Sequence, residues 1–299
     1  MMAASRRVGF VGLGLMGAPM AANVARAGFP LTVFNRSPHK AAPLKDMGAH
    51  VAMSPMEVAE RSDVVITMLT DADAVGAVLA GDDGMLAAAG EGRISLDMST
   101  ISPEQSLALE RLVEEHGWRR LEAPVYGSTG PAREGTLGIL VGGDVGVLAT
   151  CRSLLETMGS RIFHMGPMGA GAVAKLAFNL LVASQFNGLA EAMSLAVKGG
   201  VDARAAGEVF LATAVASDLL KRKVGAIVDE DYTPAFPLKH LHKDLGLMLQ
   251  AGHALGVSLP ATAAIHETYT GARSRGLGDL DSIAVYRHLA ELAGEGAGR

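Results

Sequence analysis

The turn Gly12-Leu13-Gly14-Leu15-Met16-Gly17 follows directly on the apolar run Val8-Gly9-Phe10-Val11. A strand that ends in glycines at this spacing and passes into a helix constrains the fold more than any other feature of the chain. Gly12 allows a tight turn, and Gly14 lets the backbone come close to a pyrophosphate. Gly17 lets the helix pack against the strand. The helix start then offers unpaired N–H groups and partial positive charge to phosphates. Leu13, Leu15 and Met16 fall inside this loop and are counted with the cofactor site, together with Leu69 at the end of a later strand.

Short β-branched runs alternate with helical patterns through the first half. The spacing predicts strands at Arg7–Val11, Leu31–Phe34, Asp63–Met68, Ile94–Asp97 and Leu137–Val141, with helices at Ala18–Ala27, Met56–Arg61 and Pro103–His116. That order implies βαβ units, hence an α/β Rossmann-type N-terminal domain with a mostly parallel sheet. After His164 the strand signals stop, and Gly169–Lys198, Ala203–Ala214, Lys239–Leu255 and Pro260–Arg275 have helical spacing. We therefore expect an all-helical C-terminal domain joined by a long interdomain helix. Gly166-Pro167-Met168-Gly169 marks the change, giving domains 1–165 and 166–299.

The 299 residues suffice for two cores, and 49% are hydrophobic against 19% charged. The net charge of −5 and the lack of a long Lys/Arg run exclude a basic nucleic-acid surface. Cys151 is the single cysteine, so no intramolecular disulfide or thiolate metal cluster can form. Ser5-Arg6-Arg7 before the uncharged run to Ala25 has the outline of a twin-arginine export signal. The glycines at 9, 12, 14 and 17, with Pro19 and Asn23, suit a phosphate-binding turn instead of an apolar signal core. A cytoplasmic chain without a membrane partner is the expectation. The apolar long helix points to a homodimer or homotetramer.

The end of the second strand selects the nicotinamide cofactor. An NAD site usually carries Asp or Glu there for the ribose 2′-hydroxyl. This chain has Asn35, Arg36 and Ser37. No carboxylate repels a 2′-phosphate, and Arg36 can pair with one, so NADP(H) is expected over NAD(H).

Lys175 lies among Ala172, Val173, Ala174, Leu176, Ala177 and Phe178. Such a lysine either snorkels to water or serves as an ammonium whose pKa is pulled down by partial burial. Asn179, four residues on, shares its helix face. The pair can hold a carbonyl oxygen and a carboxylate. Metal ligation is not expected: His240 and His242 are the only close histidine pair, and their i, i+2 spacing puts them on different faces. Asp71, Asp73, Asp82 and Asp83 are read as a solvated loop region, and the 15 methionines as core filling.

At this point the chain resembles a known family throughout, the β-hydroxyacid dehydrogenases, which include 3-hydroxyisobutyrate dehydrogenase and tartronate semialdehyde reductase. The likeness is carried by the run Phe10 to Gly17, by Asp97-Met98-Ser99-Thr100 and by Glu122-Ala123-Pro124-Val125 leading to Gly127. It continues through Gly166–Gly171 with Lys175 and Asn179, and through Lys243-Asp244. Within the family the chain is most similar to the glyoxylate/succinic semialdehyde reductases, by Asn35-Arg36-Ser37, Pro131-Ala132, Gly135-Thr136-Leu137, Ala235–His240 and Gly276–Asp281. The resemblance implies Lys175 as general acid, Thr100 at nicotinamide and substrate, Asn179 positioning substrate, and Lys243 at the cofactor. It also implies Ser99, Gly127, Ser128, Phe236 and Asp244 around a small aldehyde or hydroxy acid. One position departs from the family: Tyr126 stands where it normally has Ser. The Gly127 and Ser128 amides still offer a backbone nest for an anion, so the departure bears on substrate identity more than on reaction type.

The expected activity is NADPH-dependent reduction of glyoxylate or succinic semialdehyde. The rival within enzymes is an oxidative 3-hydroxyisobutyrate-type dehydrogenase. Imine reductases resemble the family but lack the lysine, and a non-enzymatic scaffold would have lost it.

Overall fold

The structure is a computed structural model and describes residues 6–294. It divides into two compact units, Met1–Leu176 and Ala177–Arg299.

Among the described residues the first unit holds nine strands: β1 (Val8–Val11), β2 (Leu31–Phe34), β3 (His50–Val51), β4 (Val64–Thr67), β5 (Ile94–Asp97), β6 (Arg119–Glu122), β7 (Val125–Tyr126), β8 (Leu137–Gly142) and β9 (Gly159–Gly166). The order β3-β2-β1-β4-β5-β6 is parallel throughout. β8 then runs antiparallel to β6 and β7 and parallel to β9. This is the mostly parallel, Rossmann-type sheet that the alternating pattern implies. Its helices are α1 (Gly17–Arg26), α2 (Ala42–Asp46), α3 (Pro55–Glu60), α4 (Ala72–Ala80), α5 (Pro103–Glu115), α6 (Thr129–Glu134), α7 (Val145–Leu155) and the start of α8 (Ala170–Lys198).

β1, β4 and β5 are buried at every position, which is why they read as unbroken apolar runs. Their alternate residues feed two cores. Val8, Phe10, Ile66 and Leu96 pack with Met20 and Val24 of α1 and Leu148 of α7. Val11 and Val65 pack on the other face with Val58, Leu79, Leu109 and Trp118. Each such fully buried apolar side chain contributes about 1.5–3 kcal/mol.

Several elements escape the sequence pattern. β6 carries Arg119, Arg120 and Glu122, too many charges for a strand signal. β9 extends to Gly166, beyond the point where strand signals fade. Asp71, expected in a solvated loop, is the N-cap of α4 and accepts a 2.9 Å hydrogen bond from Ala74 N. α5 begins with the reciprocal capping box of Ser102 and Gln105.

The division between the units falls inside α8, beyond the change of sequence pattern at 165/166. Its 29 residues span about 44 Å at about 1.5 Å per residue. The second unit continues with α9 (Ala203–Leu211), α10 (Asp218–Val228), α11 (Leu238–Leu255), α12 (Pro260–Ser274) and α13 (Val285–Leu292). It is helical among the described residues apart from short 3₁₀ turns and one isolated bridge between Pro237 and Asp281. Here the buried Lys223–Asp281 ion pair, at 2.5 Å, anchors the loop that leads into α11. Asp281 accepts further bonds from Ala235 N at 3.0 Å and Phe236 N at 3.3 Å.

Candidate active site

The first unit carries a glycine loop shaped for a dinucleotide. Gly12 has φ +100°, and a Cβ there would press on Met68 O and stand 2.8 Å from Leu69 Cδ2. A Cβ on Gly17 would collide with Gly12 O and lie 3.2 Å from Phe10 Cε1, so helix and strand meet as closely as the spacing implies. Gly14 is different. It is exposed, and a Cβ there would meet nothing within 4 Å. An exposed glycine with no internal reason to lack a side chain is the cradle a pyrophosphate needs. The N-cap position of α1, Met16, supplies no side-chain cap, and the first turn holds no acidic residue. Its N–H groups thus suit an anion.

Asn35 braces this loop: its Oδ1 accepts from Leu13 N at 2.9 Å, and its Nδ2 donates to Ser37 O at 3.0 Å. Both polar ends of Asn35 are engaged within the protein, while Arg36 stands exposed beside it. Leu69 N donates to Ser99 Oγ at 3.0 Å, which ties the ends of β4 and β5 together.

Behind Ser99 and Thr100 lies a buried polar network. Asp97 Oδ1 accepts from Thr67 Oγ1 at 2.9 Å and from Ser99 N at 3.1 Å. Its Oδ2 pairs with Arg120 Nη2 at 2.9 Å, and both side chains are almost wholly buried. Arg120 Nη1 donates to Ser106 Oγ at 3.0 Å, and Ser106 donates to Glu122 Oε2. Glu122 Oε1 then accepts from Gly171 N at 2.8 Å and Ala172 N at 3.2 Å. A carboxylate on the first turn of α8 satisfies orphan N–H groups and opposes the helix dipole. The motif residues Asp97 and Glu122 therefore act as struts. One fixes Ser99-Thr100, and the other fixes the start of the helix that carries Lys175. Lys175 itself is only 8% exposed. Arg120 and Ser106 have no sequence signal, because their partners are far apart in the chain.

The turn after β7 holds Gly127 at φ +109°, where a Cβ would meet Leu137 Cδ2 at 3.0 Å and Pro131 Cβ at 3.1 Å. The turn is thus pressed against the sheet, with Ser128 next in line. Tyr126 is partly exposed and pairs across the ladder with Gly138.

In the second unit Asn179 is 2% exposed, and its Nδ2 donates to Asp244 Oδ2 at 2.7 Å. Lys243 Nζ lies 3.1 Å from Asp244 Oδ1. The expected residues Asn179, Lys243 and Asp244 form one cluster, in which the carboxylate orients the amide. Phe236 is held through its backbone by Asp281, which in turn needs Lys223, a residue sequence reasoning missed. Lys223 Nζ also sits 4.9 Å from the Phe186 ring centroid. The only sign of it in the sequence is a cation on an otherwise apolar face of α10. His240, near Lys243, is held below its ordinary pKa by burial and then by the Lys243 charge. His242 does not turn toward His240. It stacks on His266, with centroids 4.5 Å apart, and accepts from Arg273 Nη1 at 3.1 Å.

Comparison with known proteins agrees with this geometry. The family model for the NAD binding domain of 6-phosphogluconate dehydrogenase matches residues 7–166. The model for the NAD-binding of NADP-dependent 3-hydroxyisobutyrate dehydrogenase matches residues 169–289. Glyoxylate/succinic semialdehyde reductase 1 of Arabidopsis thaliana is 38% identical over 93% of this chain and 96% of its own. The 2-hydroxy-3-oxopropionate reductase of Escherichia coli K12 is 36% identical over 96% and 98%. Among solved structures, the 3-hydroxyisobutyrate dehydrogenase of Mycobacterium tuberculosis with L-serine superposes with a TM-score of 0.85 at 34% identity, covering 95% of this chain and 99% of that one. The glycine loop, the struts around Ser99 and Lys175, and these matches along nearly the whole length agree: the chain is a nicotinamide-dependent oxidoreductase and belongs to the β-hydroxyacid dehydrogenase family.

Proposed function

We propose that this chain is an NADPH-dependent reductase of small aldehyde acids, with glyoxylate and succinic semialdehyde as substrates. The observation that carries the reading is Lys175, a cation only 8% exposed on a helix whose first turn is clamped by Glu122. The 38% identical relative named for these two aldehydes supports the substrate class. Asn35 in place of a carboxylate, with exposed Arg36 beside it, supports the 2′-phosphorylated cofactor.

A bound reduced nicotinamide supplies the hydride that adds to the carbonyl carbon. The Lys175 ammonium hydrogen-bonds the carbonyl oxygen, stabilises the charge that develops there and gives it a proton. The aldehyde becomes an alcohol, and solvent returns the proton to Lys175. A fixed cation at the oxyanion contributes more than the proton transfer itself. In the first unit Thr100 and the Gly127–Ser128 amides serve the substrate carboxylate; in the second, Asn179, oriented by Asp244, and Phe236 serve the substrate. Lys243 serves the cofactor. Run in reverse, the same groups oxidise the corresponding hydroxy acid back to the aldehyde acid. The proposal also makes the protein a cytoplasmic homodimer or homotetramer without nucleic-acid or membrane partners. Leu181 and Leu195 of α8, 62% and 78% exposed, support a surface shared between copies.

The test is nicotinamide absorbance with each aldehyde, using NADPH and NADH. Rapid loss with NADPH supports the reading. Activity only in the oxidative direction, or a preference for NADH, overturns it.

A further inference from the structure

The Tyr126 side chain lies across its cross-strand neighbour. Tyr126 on β7 pairs directly with Gly138 on β8. A Cβ built on Gly138 would fall within 3.0 Å of the Tyr126 ring atoms Cε1 and Cζ and of its hydroxyl oxygen. The ring therefore fills the space a side chain at 138 would take, the arrangement by which an aromatic residue covers a strand glycine. The φ of Gly138 lies outside the left-handed region, and the three atoms nearest a Cβ there all belong to Tyr126.

The face on which this happens matters. Along β8, Gly138 shares a face with Leu140 and Gly142. On that face Gly171 of α8 packs: a Cβ on Gly171 would approach Leu140 O at 2.6 Å and Gly142 N at 2.9 Å. The ring thus lies on the sheet face that meets the start of the helix carrying Lys175. It also immediately precedes the Gly127–Ser128 turn. The ring occupies the site of a side chain on Gly138, next to that turn. A methyl group at 138 would take the place of the ring and displace it from β8.

We propose that Gly138 is a specificity-determining position. By admitting the Tyr126 ring onto β8 it keeps the substrate pocket long enough for a four-carbon aldehyde acid, despite the tyrosine. The inference rests on the aldehyde-acid reading above and names the pair that sets chain length within it.

The test compares wild type, Gly138→Ala, Tyr126→Ala and the double variant. The atoms a Cβ at 138 would displace are the outer ring atoms and hydroxyl of one side chain and not backbone, so Gly138→Ala folds with its ring moved. The readout is the ratio of kcat/KM for succinic semialdehyde to that for glyoxylate. A loss of folded protein lowers both values equally and leaves the ratio unchanged. Gly138→Ala should lower the ratio about 10-fold or more, the scale on which a pocket discriminates chain length. In the Tyr126→Ala background, where there is no ring to raise, the same substitution should leave the ratio unchanged. A wild-type ratio in Gly138→Ala, or the same change in both backgrounds, overturns the proposal. A second readout needs no turnover. Gly138→Ala should shift the melting temperature with Tyr126 present and not in the Tyr126→Ala background, whereas equal shifts in both overturn the pairing. Inactivity of the wild type toward both aldehydes would overturn the aldehyde-acid reading by itself, and the melting cycle would still decide the pairing.

Discussion

Replacing Gly14 by alanine separates cofactor binding from folding, because the two effects have opposite signs. A Cβ at Gly14 meets no atom within 4 Å in the free chain, and the residue is not among the glycines with positive φ. Alanine there restricts the unfolded chain without straining the native one, which stabilises by roughly 0.4–1 kcal/mol. In the complex the same methyl stands where the pyrophosphate meets the backbone. Forcing an extra methyl into a filled contact costs about 1–3 kcal/mol. At about 1.4 kcal/mol per factor of ten, the NADPH Kd rises about 5- to 140-fold. Calorimetric titration with NADPH and a thermal melt of the free protein read both quantities on one preparation. Gly17→Ala is the control: its Cβ collides with Gly12 O in the free chain, so it lowers the melting temperature as well. An unchanged Kd in Gly14→Ala would refute the assignment of the loop to the cofactor.

Three further outcomes follow from the same geometry. Arg36→Ala should weaken NADPH at least about 10-fold while leaving NADH within about 2-fold, as expected for loss of a charge-assisted phosphate contact. Equal losses in the two titrations would remove the 2′-phosphate from the account. Glu122→Ala should destabilise by about 3–5 kcal/mol in chemical denaturation, since it strips the acceptor from Gly171 N, Ala172 N and Ser106 in a buried network. A change below about 1 kcal/mol, the size of an ordinary exposed cap, would show that the strut does not hold α8. Burial also lowers the pKa values of His240, His242 and His288 from the ordinary 6.5. Between those lowered values and 6.5 the unfolded chain binds more protons than the native one, so stability rises with pH across that window. The melting temperature should fall as pH drops from 7 to about 5. A flat profile would mean that these imidazoles are not buried in their neutral form.

The sequence displays the parts of the site that depend on local order and hides those that depend on distant pairing. Gly12, Gly14 and Gly17 are legible because one turn uses all three for separate steric reasons. Lys175 and Asn179 stand out because polar residues four apart interrupt an apolar helix. Arg120 is illegible: in sequence it is a charged residue in an undistinguished stretch, and only folding brings it to Asp97, 23 positions away. Glu122 is visible as part of a family motif, but its work as the cap of α8 is done across 49 residues. The same holds for Lys223 and Asp281, 58 residues apart. Asp71 reads as loop because α4 lacks the amphipathic period that would mark its aspartate as a cap. Tyr126 is visible as a departure from the family, but its match with Gly138 exists only in the β7–β8 register. What the periodicity misses is chiefly the polar framework that holds the reactive groups, because buried charges carry no hydrophobic period.

The central claim is that Lys175 delivers the proton and steadies the developing alkoxide. It is tested most directly by Lys175→Ala, assayed for NADPH oxidation with glyoxylate and succinic semialdehyde and titrated with NADPH in the same buffer. The account predicts kcat lowered at least about 100-fold, with the NADPH Kd within about 3-fold of wild type. Turnover at the wild-type rate would contradict it.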